Sequence, residues 1–168
     1  ATTRRTRFTP DAPGPALDIG GSLTITNGAR LIVYSGPTNT FGINGARVAV
    51  AEDVSVAANS WIYPYSNPTN GGSAVFTVRN LSVQPLGGID ADGKGYQGVP
   101  AVGGVGPGAG DSRAGSGYGG RGGNGWWTYG VGGGTYGSET APVDAGSSGS
   151  GSETTPVPGN GGGAIRVV

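Results

Sequence analysis

The chain repeats itself, and the spacing of the repeat limits the possible fold more than any other feature. Ser35-Gly36-Pro37-Thr38-Asn39 recurs 31 residues later as Ser66-Asn67-Pro68-Thr69-Asn70. A unit of this length cannot bury its apolar side chains alone, so equivalent units must stack on one another. The same spacing aligns three sets of apolar residues: Leu17 and Ile19 with Val48 and Val50, Leu23 and Ile25 with Val54 and Val56, and Leu31 and Val33 with Ile62 and Pro64.

A further repeat follows at a spacing of 27 residues. It aligns Val48 with Val75, Val54 with Leu81, and Ile62 with Ile89. The closing run Gly161-Gly162-Gly163-Ala164-Ile165-Arg166-Val167-Val168 resembles residues 71–78 and aligns Ile165 with Val75. We therefore expect this last segment to begin another coil.

Each repeat contains three short segments rich in alternating and β-branched residues, separated by turn residues such as Asn-Gly and Gly-Gly. No segment has a sustained 3.6-residue apolar period, so we expect almost no helix. The pattern predicts an all-β fold, a single-stranded parallel β-helix of about three to four short coils. Its domain covers residues 17–168, and residues 1–16 form an extended N-terminal arm.

Alternation along the third segment of each repeat separates core residues from surface residues. We expect Leu31, Val33, Ile62 and Pro64 to point inward. The outward positions are then unusually aromatic, and we call the set Tyr34, Trp61, Tyr63 and Tyr65 the aromatic face. Because such a patch is rarely left bare, we expect another layer or another molecule to cover it.

Glycine is concentrated in the second half of the chain. Of the 38 glycines, nine lie in residues 1–86 and 29 in residues 87–168, mostly in an insertion at about 93–162. One alternative is a disordered linker. The alternative that we favour is an ordered loop layer, because glycine permits close backbone approach. In that layer four aromatic residues would anchor the insertion on the aromatic face: Trp126, Trp127, Tyr129 and Tyr136.

The amino-acid composition argues against most kinds of catalytic site and metal site. The chain has no Cys and no His, so the usual zinc and haem ligands and Ser-His-Asp catalysis are lacking. Ten basic and ten acidic residues give zero net charge, which argues against nucleic-acid binding.

Asp90-Ala91-Asp92-Gly93-Lys94-Gly95 resembles a calcium loop only faintly, because Lys94 stands where a ligand is needed. A catalytic acid/base pair formed by Asp90 and Asp92 is a weaker alternative still. We expect no enzyme activity, no metal and no cofactor.

No apolar run reaches the length of a membrane helix, so we expect no membrane insertion. The chain begins at Ala1 without an initiator Met, which we take as a processed N-terminus that favours export. Four phrases resemble glycine-rich β-helical segments of large secreted bacterial surface proteins: residues 28–35 (GARLIVYS), 60–66 (SWIYPYS), 90–96 (DADGKGY) and 162–166 (GGAIR). The resemblance implies an extracellular or cell-surface location and a structural or adhesive role, and it brings no catalytic residues.

The two ends of the predicted stack suggest a function. The stack starts within one coil at Leu17 and stops after the first strand of another at Val168, and neither end has an obvious cap. Open coil edges pair with other chains, and an end contact that does not close gives a filament. We expect a self-assembling extracellular filament subunit whose arm reaches a neighbouring subunit. The expected assembly interface is Arg4, Arg5, Arg7, Phe8, Leu17, Ile19, Ile165, Val167 and Val168.

The alternative function is a carbohydrate-binding or adhesive module, because aromatic side chains in a row can stack on sugar rings. It would use the aromatic face together with Trp126 and Trp127. An ice-binding surface ranks third, since the outward positions are aromatic and mixed instead of rich in threonine.

Overall fold

The computed structural model describes residues 17–38, 44–100, 103–126, 130–151 and 158–168, and the backbone of residues 5–7. This part of the chain has no helix, and its regular structure consists of short strands, as predicted for an all-β fold. In chain order the strands are β1 (Arg5–Arg7), β2 (Leu17–Ile19), β3 (Leu23–Ile25), β4 (Arg30–Tyr34), β5 (Ala46–Val50), β6 (Asp53–Val56), β7 (Trp61–Tyr65), β8 (Ala74–Thr77), β9 (Asn80–Val83), β10 (Gly88–Ile89) and β11 (Arg166–Val167).

The strands form three parallel sheets, and each strand pairs with its counterpart one repeat away. Sheet A has the order β1-β4-β7-β10, sheet B the order β2-β5-β8-β11, and sheet C the order β3-β6-β9. Parallel neighbours that are never consecutive in the chain require a crossover between them. Here the other two sheets supply that crossover, and this arrangement is consistent with a β-helix-like fold.

The register confirms the 31-residue repeat. Leu17 lies opposite Val48 in sheet B, and Leu23 lies opposite Val54 in sheet C. In sheet A, Val33 lies opposite Pro64. Because a one-residue slip would turn every side chain to the other face, correct alignment of the repeat also identifies the core-facing side of each strand.

The expected alignment of the third repeat in sheet B was wrong by one residue. Val48 lies opposite Phe76 and not Val75, whereas Val54 lies opposite Leu81 as expected. The cause is a shorter corner between sheet B and sheet C in the third repeat. In the second repeat, residues 50–52 lie between the last paired residue of β5 and the first paired residue of β6. In the third repeat, only residues 78–79 lie between the corresponding positions of β8 and β9. The expected alignment of the closing segment was also wrong by one residue, because Arg166, and not Ile165, lies opposite Val75.

The corner between the second and third strands of each repeat is a turn whose third residue has a positive φ, 70° at Gly28, 61° at Asn59 and 66° at Leu86. In the first repeat the second residue of the turn, Asn27, also has a positive φ of 58°, so this turn differs in type from the other two. Glycine and asparagine adopt this left-handed conformation readily, whereas leucine does so at a steric cost. Each turn is closed by a hydrogen bond to the carbonyl three residues back: Ala29 to Thr26, Ser60 to Ala57, and Gly87 to Gln84.

The core consists of the inward side chains of the three sheets. Val48 and Val56 are 0% exposed and Ile62 is 1% exposed. Pro64 is also buried, so the predicted inward positions of β7 are confirmed. Each such side chain contributes roughly 1.5–3 kcal/mol by leaving water. The other buried members of this cluster are Ile25, Val33, Ala46, Val50, Val54, Ala74 and Phe76.

The chain divides into two compact units. The strand unit contains Ala1–Tyr65, Gly72–Ala91 and Ile165–Val168. The Gly-rich unit contains Ser66–Gly71 and Asp92–Ala164. The strand unit holds all three sheets, and the Gly-rich unit holds the insertion that sequence analysis placed at about 93–162.

The described residues of the Gly-rich unit form a hydrogen-bonded loop layer and not an unstructured linker. Three segments bond in a cycle, since Gly115 N–H donates to Gly123, Gly122 N–H to Gly133, and Gly133 N–H to Gly115. Backbone contacts this close exclude side chains. A Cβ on Gly133 would lie 1.9 Å from the Gly108 carbonyl oxygen, whereas a Cβ on Gly134 would meet nothing within 4 Å.

Aromatic side chains fill gaps inside this unit. Tyr118 and Tyr136 pack edge to face with ring centroids 4.9 Å apart. The Tyr136 hydroxyl donates to the Ala145 carbonyl at 2.6 Å and accepts from Ser147 Oγ at 3.1 Å. Burial raises the pKa of the Tyr136 phenol above its ordinary value. Tyr136 is therefore an anchor within the Gly-rich unit itself.

Candidate functional site

The strand unit exposes a row of backbone groups and apolar side chains along β9. All four residues of this strand are exposed, and it is an edge strand of sheet C. Leu81 is 37% and Val83 is 43% exposed, although they occupy the register of the buried residues Val54 and Val56. The core-facing positions of β9 are therefore uncovered, which makes this edge a site for pairing with another strand.

The β9 edge was not among the predicted interface residues, which were all placed at the two ends of the stack. The signal was available, since Leu81 and Val83 stand at core positions of the last repeat of sheet C. Leu86, which follows at the next turn, is 74% exposed and belongs to the same end of the strand unit.

The predicted C-terminal residues lie on β11 or beside it, at an edge of sheet B. Ile165 is 44%, Val167 39% and Val168 58% exposed. Val167 lies opposite Phe76, so it continues the core ladder of sheet B. Arg166 lies opposite Val75 on the outer side, and its guanidinium donates to Asn44 Oδ1 at 3.4 Å.

The predicted N-terminal residues lie at the opposite edges of the sheets. Leu17 and Ile19 belong to β2, the other edge strand of sheet B, and both are half-buried. Arg5 and Arg7 belong to β1, where they lie opposite Ile32 and Tyr34 of the same chain. The arm was expected to add a strand to a neighbouring subunit, but here β1 adds to β4 of its own chain. Arg4 and Phe8 lie outside the described residues.

The aromatic face lies on the outer side of sheet A. Tyr34 and Tyr65 are register partners with ring centroids 5.0 Å apart. Trp61 and Tyr63 are 6.4 Å apart on β7, with an interplanar angle of 25°. Trp61, Tyr63 and Tyr65 are half-buried, and Tyr34 is 37% exposed. The structure therefore brings together the four aromatic residues that the alternation predicted.

Arg30 extends this face and was not among the predicted site residues. Its guanidinium carbon lies 6.0 Å from the centroid of the Tyr63 ring, within cation–π range. Arg30 also lies opposite Trp61 in the register, and its side chain is exposed. The alternation alone placed Arg30 outward, but only the pairing of β4 with β7 sets it beside aromatic rings.

Trp126 does not have the expected anchoring role. It belongs to the Gly-rich unit, and its side chain is 83% exposed. A side chain that fixes a loop by packing must lose most of its exposure, so Trp126 was wrongly assigned as an anchor. Trp127 and Tyr129 lie outside the described residues.

Charged side chains form one ion pair among the described residues. Arg79 Nε donates to Asp53 Oδ1 at 3.1 Å, and Asn80 Nδ2 donates to the same oxygen at 2.8 Å. The hydrogen bond from Arg79 holds the pKa of the Asp53 carboxyl below its ordinary value. Both partners are about half exposed, so this cluster is a surface contact of small energy and not a reactive site.

The described residues hold no cluster of three or more metal-ligating side chains. In the loop that faintly resembled a calcium site, Lys94 Nζ donates to the Asp92 carbonyl at 2.9 Å, so an ammonium already occupies that oxygen. The described part of the chain also contains no helix that could span a bilayer. Searches against family models, curated proteins and solved structures found no match.

Proposed function

We propose that the chain is a single-stranded β-helix of about three to four short coils and a structural subunit of a self-assembling extracellular filament. The observation that supports this most is the uncovered core edge of β9. Leu81 and Val83 are apolar residues at the register positions of Val54 and Val56, which lie on the central strand β6 and are buried between two neighbouring strands.

The two ends of the strand unit are complementary in residue type. At one end β9 exposes Leu81 and Val83, and at the other β3 has Leu23, which is half-buried, and Ile25, which is buried, in the same register. In sheet B, Val167 of one copy would meet Leu17 of the next, which continues the ladder Leu17–Val48–Phe76–Val167. Such a contact joins unlike ends and does not close, so it propagates as a filament.

The arm has a place in this assembly. Strand β1 joins β4 through three register pairs, Arg5 with Ile32, Thr6 with Val33 and Arg7 with Tyr34. So short a pairing is exchanged between copies at low cost, in the manner of domain swapping. We propose that the arm makes the same pairing with β4 of a neighbouring subunit in the filament.

Electron microscopy and analytical ultracentrifugation of the purified chain test the assembly. We expect filaments from the unmodified chain and loss of filaments from a Val83→Lys variant, since a buried cation would oppose pairing at β9. Val143→Lys is the control, because Val143 is 49% exposed in the Gly-rich unit. A chain that stays monomeric at high concentration, or equal loss in both variants, would refute the proposal. Removal of residues 1–15 should weaken assembly if the arm is exchanged.

A second candidate function is carbohydrate binding at the aromatic face. It is favoured by the packing of Trp61 over Gly88, since a Cβ at Gly88 would lie 2.5 Å from Trp61 Cζ3. The indole therefore covers the backbone of Gly88 on the neighbouring strand, where it is half-buried and beside Tyr63. Loss of glycan binding in a Trp61→Ala variant would support this function, and unchanged binding would refute it.

A further inference from the structure

The outer side of sheet A carries an exposed cation, Arg30, beside its aromatic rings. Among the described residues no carboxylate lies within ion-pair distance of Arg30. The guanidinium is exposed and sits 6.0 Å from the Tyr63 ring centroid, so it is held over the sheet by cation–π attraction instead of by a counter-ion. A cation held in this way keeps its donors available to an anion.

Charge is distributed unevenly across this side of the sheet. Arg30 is the basic residue whose side chain is described on this side, and it stands at the start of β4. The acid nearest in the chain to this sheet is Asp90, which directly follows β10, the neighbour of β7. Its N–H donates to the Ile62 carbonyl, so Asp90 lies beside β7 on the side away from β4. A ligand that lies across β4 and β7 with its carboxylate toward β4 therefore meets Arg30 at one side, and Asp90 stands at the opposite side.

We infer that the aromatic face together with Arg30 binds an acidic polysaccharide, one whose sugar rings carry carboxylates. The inference rests on the second candidate function and names its ligand class. The apolar faces of the sugar rings stack on Trp61, Tyr63 and Tyr65, and a uronate carboxylate accepts hydrogen bonds from the Arg30 guanidinium. Arginine and carboxylate form paired, charge-assisted hydrogen bonds, which gives the site a preference for charged over neutral sugars.

Single-stranded nucleic acid has similar requirements, since bases also stack on aromatic rings beside arginine. It additionally requires a groove of cations that follows the phosphates. The chain has zero net charge, and Arg30 is the one basic side chain described on this face. The distribution of charge therefore favours an intermittent anion, as in a uronic-acid polymer, over a continuous one.

The experiment measures binding of the full chain to polygalacturonate and to the same polymer with its carboxyls methyl-esterified, by isothermal titration calorimetry. The Val83→Lys variant is used as background, so that assembly does not contribute to the signal. We expect binding to polygalacturonate that weakens about tenfold in Arg30→Ala and on esterification, which is the loss of one charge-assisted contact. Arg47→Ala is the matched control, because Arg47 is an exposed arginine of β5 in sheet B.

The outcomes separate the inference from the function on which it rests. Equal affinity for the two polymers, lost in Trp61→Ala, would leave carbohydrate binding standing and refute the acidic preference. No binding to either polymer would refute both. Equal loss in Arg30→Ala and Arg47→Ala would also overturn the inference, as would tighter binding to a thymidine oligonucleotide than to polygalacturonate.

Discussion

Val48 lies directly opposite Phe76 in sheet B, and this pair marks the point where the repeat loses one residue. The phenyl ring is 3% exposed and Val48 is 0% exposed. The shorter corner between β8 and β9 thus brings the largest side chain of the core into the ladder between Val48 and Val167. Had the spacing stayed at 27 residues, Phe76 would have taken the outward position that Val75 holds.

Replacement of Phe76 by alanine should strongly destabilise the strand unit. Removal of a buried aromatic side chain costs about 3–5 kcal/mol, because transfer energy is lost and a cavity is left. Denaturant unfolding followed by circular dichroism measures the change. Leu86→Ala is the control, because Leu86 is 74% exposed and should change the free energy of unfolding by less than about 0.5 kcal/mol. Similar losses in both variants would contradict the core position of Phe76.

Adjacent glycines of the Gly-rich unit should respond oppositely to alanine. A Cβ on Gly161 would lie 1.8 Å from the Gly146 carbonyl oxygen, whereas a Cβ on Gly162 would meet nothing within 4 Å. Gly161→Ala should separate two bonded segments and lower the free energy of unfolding by about 1–3 kcal/mol or more. Gly162→Ala should be neutral or stabilise by up to about 1 kcal/mol. Thermal unfolding and limited proteolysis report the difference, and equal effects would contradict the close packing.

Two fully buried serines should also respond oppositely to replacement by alanine. Ser60 and Ser148 are both 0% exposed, but Ser60 Oγ has no hydrogen-bond partner among the described residues. Ser148 Oγ accepts from Val105 N–H at 2.9 Å. Ser60→Ala removes a desolvated hydroxyl and should be neutral or stabilising, while Ser148→Ala leaves a donor unpaired and should cost about 1–3 kcal/mol. The unfolding free energies of the two variants test this, and a larger loss for Ser60→Ala would count against it.

Alkaline pH should weaken the Gly-rich unit. Burial raises the pKa of Tyr96 and of Tyr136 above the ordinary tyrosine value of 10.0. The unfolded chain therefore loses these protons first, so the stability is present below about pH 10 and is lost as pH rises through the folded pKa values. Unfolding midpoints measured between about pH 8 and 11, with phenolate absorbance recorded in parallel, should show the loss.

A single substitution isolates the contribution of Tyr136 to this pH dependence of stability. Tyr136→Phe cannot ionise at this position, so its stability should fall less steeply with pH than that of the unmodified chain. Leu86→Ala, which removes no ionisable group, should keep the original slope. An identical slope in all three chains would show that Tyr136 does not ionise on unfolding.

Much of the strand unit could be predicted because a repeat is visible in sequence. Leu17 with Val48 and Leu31 with Ile62 share a spacing, and equal spacing in a stack means register. The aromatic face was predicted for the same reason, since alternation places Trp61 and Tyr63 on one side of β7. Arg30 became part of the site only when β4 and β7 were paired.

Local pattern therefore determined which residues align and which side of a strand is buried, because both follow from the two-residue period of a strand and from one repeat length. Tertiary structure alone decided where the repeat changes length, which edge is left open and how the Gly-rich segment packs. Glycines such as Gly161 and Gly162 are chemically identical in sequence, and only the distance to the facing carbonyl distinguishes them. Because glycine has no side chain, a run of glycines has no hydrophobic pattern, and the role of each glycine depends on the segments packed beside it.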